Sequence, residues 1–533
     1  MKRGKALMIQ GTASYVGKTI IVAAICRILS QAGVKVAPFK AQNMSLNSYV
    51  TKGGREIARA QAFQAFAAGI EPRVEMNPIL LKPKGGTVSQ VVLMGKPYRD
   101  ISAKEYYADF TRNQGLRAVR KSLKSLLREF DAVVIEGAGS PAEINLYSQD
   151  IANMKVAGLT NAPVFLVADI ERGGVFASAV GTICLLPPED RKRVKGIIIN
   201  KFHGDPTILE SGLSKLEERT GKPVLGVVPY IENLDLPWED SMSLDDLRSY
   251  ERRDNINVAV IRLPFMSNST DIHPLIAAGL RVNLVKSVSE IGNPDVLIIP
   301  GTKNTMHDLR WLRKERLDDQ ILRLRRSGVP IIGICGGYQI LGKEIVDTLG
   351  LEDGVEKIEM PTEAKIDGLG LLDITTKFNR YKKKTRRVRA KVIGAGPILG
   401  SVLGKLISAY EIHMGETRLV GTDKSSFKIL KANRKGLHVV PHYDGAISND
   451  GLVIGSYLHG LFDDGTIIGA LLGYLAQRKG IKRADTGIFN KTGIESTWEE
   501  SLNLLCATLR SNVDIDRILN MAGITALSAG VSS

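Results

Sequence analysis

The stretch Ala6-Leu-Met-Ile-Gln-Gly11-Thr-Ala-Ser-Tyr-Val-Gly17-Lys18-Thr19 decides the fold. An apolar, strand-like run ends at Gly11, a short loop closes on Gly17-Lys18-Thr19, and the helix-like segment "IIVAAICRILSQ" follows. In that order of strand, loop and helix, backbone N–H groups and the helix N-terminus hold phosphate groups. Gly11, Thr12 and Gly17 are expected to form the cradle, Lys18 to contact the terminal phosphates, and the Thr19 hydroxyl to bind magnesium. Gly11 lies one position earlier than the spacing G-x-x-x-x-G-K-[ST] demands, so the loop carries one extra residue.

Outward from this loop the first half alternates short β-branched runs with helix-length amphipathic segments. The runs are "ALMIQG", "KVAPFK", "DAVVIEG", "APVFLVADI" and "VKGIIIN". Such alternation predicts a parallel sheet in an α/β fold. Open α/β sheets bind ligands at the carboxyl ends of their strands, which makes Glu136, ending "VVIE", the expected magnesium carboxylate. Asn200, ending "GIIIN", offers an amide that could read a base edge.

A mixed acidic stretch, "ENLDLPWEDSMSLDDLRSYERRDN", interrupts the pattern, and "INVAVIRLP" then begins a second α/β series. The expected organisation is a synthetase domain over 1–240, a linker over 241–255, a second α/β domain over 256–465 and a helical appendage over 466–533. Within the second series "DVLIIPG" and "PIIGICGG" read as strands, and one basic amphipathic helix is expected from about Thr305 to Ser327, closed by Gly328.

The chain has 533 residues, enough for about three structural units. Hydrophobic residues make up 44% and charged residues 24%, so disorder and fibrous repeats are poor readings. With 72 basic against 56 acidic residues the net charge is +16, which favours polyanionic partners. Cys26, Cys184, Cys335 and Cys506 are too widely spaced for a disulfide framework or zinc knuckle. No signal peptide and no apolar run of about 18 residues is evident, which predicts a cytoplasmic protein without a membrane anchor.

Cys335 stands in Gly333-Ile-Cys-Gly-Gly337, between an apolar run and a helix-like segment. A strand-to-helix elbow of this kind exposes a nucleophile, and a helix N-terminus favours a thiolate. The expected base is His459 in "GSYLHGLF", 124 residues later, with His413, His438 and His442 as competitors. The oxyanion donors are expected to be the backbone N–H groups of Gly301, in "PGTKNT", and Gly336. The basic tract "RYKKKTRRVRAK", residues 380–391, lacks the aromatic interleaving of a nucleic-acid site. It reads as a solvated hairpin, with steering of a polyanionic substrate as the second reading.

The strings "GTASYVGKT", "FKAQNMSLNS", "GREIARAQAFQA", "MNPILLKP", "EGAGSPAEINL", "DIANM", "ADIERGGVFAS" and "NKFHGD" resemble the synthetase domain of the cobyric acid synthase family, a relative of dethiobiotin synthetase. The strings "INVAVIRLPFMSNSTDIHPL", "PGTKNT", "GICGGYQILG", "YEIHMGET" and "GSYLHGLFD" resemble the class I glutamine amidotransferase domain of the same branch. The resemblance implies an ATP- and Mg2+-dependent ligase that takes ammonia from L-glutamine and amidates a corrin poly-carboxylate through acyl phosphates, with no nucleic-acid partner. The implied acceptor is adenosylcobyrinic acid a,c-diamide, at its b, d, e and g carboxylates. By resemblance Lys40 and Glu56 join the phosphate or metal contacts, and Gln42, Asn43, Ser45, Asn47 and Asn145 are expected to face the substrate.

Cobyrinic acid a,c-diamide synthase, CTP synthase and a DNA-binding nucleotide switch are the rival readings. Most class I amidotransferases place a glutamate two residues after the histidine, where this chain has Leu461. The residue orienting His459 is therefore open, with Glu411, Asp444 or a backbone carbonyl as the alternatives.

Overall fold

A computed structural model describes residues 4–232, 234, 256–352, 364–381, 383–430, 441–481 and 493–525. The linker expected over 241–255, His438 and the last eight residues lie outside the described residues.

The first half is built on a six-stranded parallel sheet. Its spatial order is Val224–Pro229, Val194–Phe202, Val164–Asp169, Lys5–Gly11, Ala132–Glu136 and Val36–Lys40. Both faces are covered, so the middles of the inner strands are apolar runs, such as residues 7–9, 132–135, 164–168 and 197–199, as burial on two sides requires. Lys5–Gly11 lies at the centre, and Ile9 stands in register with Glu136 of the neighbouring strand. The phosphate loop and Glu136 therefore emerge side by side. A smaller sheet of Gln42–Met44, Ile79–Gly85, Val88–Leu93 and Lys96–Ser102 stands beside this one.

The second half repeats the principle with strands Arg281–Val285, Asn257–Ile261, Val296–Ile299, Ile331–Ile334 and Val453–Ser456, all parallel, and a short antiparallel edge, Ala446–Ile447. The helix expected from Thr305 to Ser327 is two helices, Thr305–Lys314 and Leu317–Arg326. The break falls at Arg316, which has φ 58°. Its cause is visible in the spacing: Leu312 and Leu317 are both fully buried, yet five positions in one continuous helix would turn them about 140° apart. Breaking the helix resets the phase.

The basic tract is not a free hairpin. Strand Lys384–Val392 lies inside an antiparallel sheet between Leu406–His413 and Phe427–Leu430. Val388, Ala390 and Val392 face the core. Lys383 and Arg387 cross to the first domain, where Lys383 pairs with Glu56 at 2.5 Å and Arg387 donates to the Val50 carbonyl at 2.7 Å. Arg59 and Asp463, 3.7 Å apart, add a further ion pair across the same boundary.

The C-terminal helices divide between the two domains rather than forming one appendage. Thr466–Lys479 packs Ile467, Leu471 and Leu475 into the second core. Gly493–Asn512 returns to the first domain, placing Leu502, Leu505, Cys506 and Leu509 against the helix Lys18–Gln31. Trp498 meets Phe63 and Phe66 edge-on there. Among the described residues no helix is long and apolar enough to cross a membrane.

Candidate active sites

The phosphate loop turns on Gly17, whose φ of 97° lies in the left-handed region that L side chains avoid. A Cβ at this position would also lie 2.2 Å from the Asn200 amide nitrogen. Thr19 and Lys40 converge on Glu136. The Thr19 hydroxyl donates to Glu136 Oε1 at 2.8 Å, and Lys40 Nζ reaches the same oxygen at 2.7 Å. Gln64 and Gln61 donate to Oε2 at 2.5 and 3.3 Å. Glu136 is fully buried, and these donors take the place of water around its carboxylate. Lys18 folds back onto the carbonyls of Ala13 and Gly139, at 2.7 and 3.2 Å.

A hydroxyl and a carboxylate in contact beside a phosphate loop fit a magnesium nucleotide, because Mg2+ is held by few protein oxygens together with the phosphates. Thr19 and Glu136 are the residues suited to hold the ion. Two other candidates have partners within the protein. Asn200 donates one amide N–H to the Val16 carbonyl at 2.8 Å and so braces the loop. Glu56 lies away from this cluster. It is buried at the domain boundary with Lys82 at 2.8 Å, Lys383 at 2.5 Å and the Ser48 hydroxyl at 2.8 Å. Burial opposes its charge, but Lys383 and Lys82 outweigh that and hold the carboxyl well below the usual range.

The polar loops divide similarly. Asn43 donates to Gln61 at 2.9 Å, Ser45 bonds the Asn47 backbone, and Asn47 accepts from Ser269 of the second domain at 3.0 Å. These three are buried and bonded within the protein. Gln42 accepts from the Tyr106 hydroxyl at 2.6 Å, and Asn145 is exposed.

In the second domain Cys335 caps the short helix Gly336–Ile340 with φ 52° and ψ −106°, a strained conformation for a residue with a Cβ. That geometry turns its side chain away from the strand Ile331–Ile334. The elbow closes only because Gly337 has no Cβ, which would lie 2.0 Å from the Ile299 carbonyl oxygen. Gly301 belongs to the same site: a Cβ there would lie 3.1 Å from the His459 ring and 3.6 Å from Cys335 Cβ.

His459 sits in a two-residue strand, Leu458–His459, that pairs with Tyr410 and Glu411; it is fully buried with the Tyr410 ring stacked on it, while Cys335 Sγ donates to the Ile412 carbonyl at 3.6 Å. Its orienter is a residue that the sequence reading missed. Asp271 Oδ2 lies 2.7 Å from His459 Nδ1, and Asp271 Oδ1 accepts from the Gly460 N–H at 2.8 Å. Burial opposes the imidazolium, but Asp271 and then Cys335 outweigh it and push the pKa of His459 up to about 10.

Glu411 and Asp444 do not take this position. Glu411 is occupied by Arg386, His413 and His442, and Asp444 accepts from Ser456 and the Tyr457 N–H. His413 stacks on Tyr457 and bonds the Gly415 carbonyl. The spacing seen in most class I domains points to position 461; the carboxylate instead arrives from a turn 188 residues upstream. The one sequence signal for it is an acidic residue closing the polar turn "SNSTD".

Comparison with known proteins agrees with both halves. Residues 7–242 match the CobQ/CobB/MinD/ParA nucleotide binding domain, and residues 257–467 match the CobB/CobQ-like glutamine amidotransferase domain. The probable cobyric acid synthase of Methanosarcina acetivorans is 50% identical over 98% of this chain and 99% of its own. That of Methanosarcina mazei is 51% identical over the same shares. The cobyric acid synthase of Pelotomaculum thermopropionicum is 45% identical over 98% of this chain and 97% of its own. Fold, domains and relatives together define an ATP-dependent glutamine amidotransferase, a ligase that joins a nucleotide-binding domain to an amidotransferase domain. The chain belongs to the cobyric acid synthase family.

Proposed function

We propose that the chain amidates the b, d, e and g carboxylates of adenosylcobyrinic acid a,c-diamide, using ammonia from L-glutamine and one ATP for each amide. The observation that carries this reading is a pocket shared by both domains, in which Cys335, Asn268 and Lys303 of the second face Lys82 of the first. Ammonia released at Cys335 is thus generated at the boundary with the domain that holds the phosphate loop.

In the amidotransferase site Cys335 Sγ attacks the glutamine amide carbon while the Gly301 and Gly336 N–H groups stabilise the oxyanion. The C–N bond breaks as the His459 imidazolium protonates the leaving nitrogen, and water then hydrolyses the thioester to glutamate and free thiol. Asp271 keeps the imidazole ring in the tautomer with a proton on Nδ1. In the synthetase site a corrin carboxylate oxygen attacks the γ-phosphorus and ADP departs. Ammonia then displaces phosphate from the acyl phosphate, leaving the amide. Lys18 and Lys40 offset charge on the phosphates, and Thr19 and Glu136 would hold a magnesium ion, which when bound would supply charge neutralisation at the phosphates.

The experiment incubates the protein with adenosylcobyrinic acid a,c-diamide, ATP, Mg2+ and glutamine, and follows corrin mass. Four successive replacements of hydroxyl by amide support the reading. An unmodified corrin, with the protein folded and hydrolysing glutamine, overturns the assigned acceptor.

A further inference from the structure

The turn that carries Asp271 is held from both domains at once. On its inner side Asp271 bonds His459 Nδ1, and the Asn268 side-chain nitrogen lies 3.2 Å from Nε2 of the same ring. On its outer side Asn268 Oδ1 accepts from the Ser48 N–H at 2.9 Å, and the Asn268 N–H donates to the Leu46 carbonyl at 3.3 Å. Ser269 Oγ donates to Asn47 Oδ1 at 3.0 Å. Asn47, Ser48, Asn268 and Ser269 are all buried, so these bonds are made without competition from water.

The first-domain side of this clamp leads directly to the phosphate site. Ser48 follows Lys40, the partner of Glu136, by eight residues. The intervening Asn43 donates to Gln61, which itself donates to Glu136. A continuous chain of hydrogen bonds and short backbone therefore runs from the expected metal carboxylate to the histidine of the other site. Coupling between sites can be carried by a contiguous bonded arrangement that both bias, and here the bonding side chains Asn43, Asn47, Ser48, Asn268 and Ser269 are buried, with Met44 between them exposed.

We propose that Asn268 is a positioning residue that ties the geometry of His459 to the state of the synthetase site. This rests on the functional reading above. Loading of the phosphate site shifts the 43–48 segment, the Leu46 and Ser48 bonds carry the shift to Asn268, and His459 comes into register with Cys335 when an acceptor is ready. Ammonia release is thereby matched to its use.

The test measures glutamate release by the full-length protein with and without ATP, Mg2+ and the corrin acceptor, in wild type, Asn268→Gly and Ser269→Ala. Glycine accepts the Asn268 φ of 53°, so the first variant removes the side chain without adding backbone strain. Wild type is expected to hydrolyse glutamine about tenfold faster when loaded, within the range of ordinary allosteric coupling. Asn268→Gly is expected to give equal loaded and unloaded rates, and Ser269→Ala an intermediate ratio. Retention of the wild-type ratio in Asn268→Gly, whatever its absolute rate, overturns the proposal, because a purely structural role lowers both rates together. Should Asn268→Gly fail to fold, judged by loss of ammonia-supported amidation, the ratio in Ser269→Ala decides. A wild-type rate indifferent to loading overturns the coupling alone; absence of any glutamine hydrolysis overturns the functional reading with it.

Discussion

Asp271→Asn tests the amidotransferase site at its least expected residue. Asp271 accepts two bonds, from the protonated Nδ1 of His459 at 2.7 Å and from the Gly460 N–H at 2.8 Å. An asparagine there has one acceptor and one donor end. If its N–H2 faces Gly460, two donors collide; if it faces His459, Nδ1 must accept, so the ring keeps a proton on Nε2 alone and the imidazolium is lost. Either outcome removes the carboxylate that lifts the His459 pKa to about 10 against the pull of burial. Return to an ordinary imidazole value near 6.5 corresponds to about 5 kcal/mol, at about 1.4 kcal/mol per tenfold, and relaxation of the ring makes this an upper bound. A loss of about 3–5 kcal/mol predicts a fall in glutaminase kcat/KM of about 10²–10⁴. The sign of the pH effect follows: His459 stays protonated up to about pH 10 in the wild type, so the alkaline limb of the glutaminase profile moves to lower pH in the variant. The assay is glutamate release across pH, with ammonia-supported amidation as the internal control. A variant rate within about threefold of wild type, with an unmoved alkaline limb, refutes the assignment.

Further outcomes are expected elsewhere. Lys18→Ala abolishes ATP-dependent amidation with either nitrogen donor, while glutamate release from glutamine persists, as paired product assays will record. Gly17→Ala weakens nucleotide binding by at least about tenfold by calorimetry, because the new Cβ meets Asn200 in a left-handed turn. Glu56→Gln leaves Lys82 and Lys383 buried without their carboxylate, and thermal or denaturant unfolding should show a loss of about 3–5 kcal/mol. Because the Glu56 carboxyl is held below its ordinary value, its contribution is full above about pH 4.5 and fades as pH falls. The difference between wild type and Glu56→Gln should shrink on acidification.

The two parallel sheets are legible in the sequence because strands buried on both faces read as unbroken apolar runs, as "ALMIQG" and "APVFLVADI" do. Strand Val224–Pro229 is harder to read, since Gly226 and Pro229 are turn signals. Strand Lys384–Val392 hides for a different reason. Its buried Val388, Ala390 and Val392 alternate with arginines and lysine, so charge masks the period of two. Cys335, His459 and the phosphate loop carry local signatures, a glycine-flanked elbow and a glycine-lysine-threonine turn. Asp271 and Asn268 carry almost none, because their roles come from a turn folded against a strand end some 190 residues away. Glu56 shows the converse. An acidic residue in a motif-rich segment reads as a metal ligand, yet its place is set by two lysines, one of them 327 residues distant.

The central claim is that two sites on this chain divide one reaction, with ammonia made at Cys335 and consumed at the phosphate loop. The most direct measurement is corrin mass after incubation of Cys335→Ala with adenosylcobyrinic acid a,c-diamide, ATP and Mg2+, in parallel with glutamine and with ammonium. The account predicts no amidation with glutamine and full amidation with ammonium. Amidation by glutamine in this variant, or failure with ammonium while the protein remains folded, would contradict it.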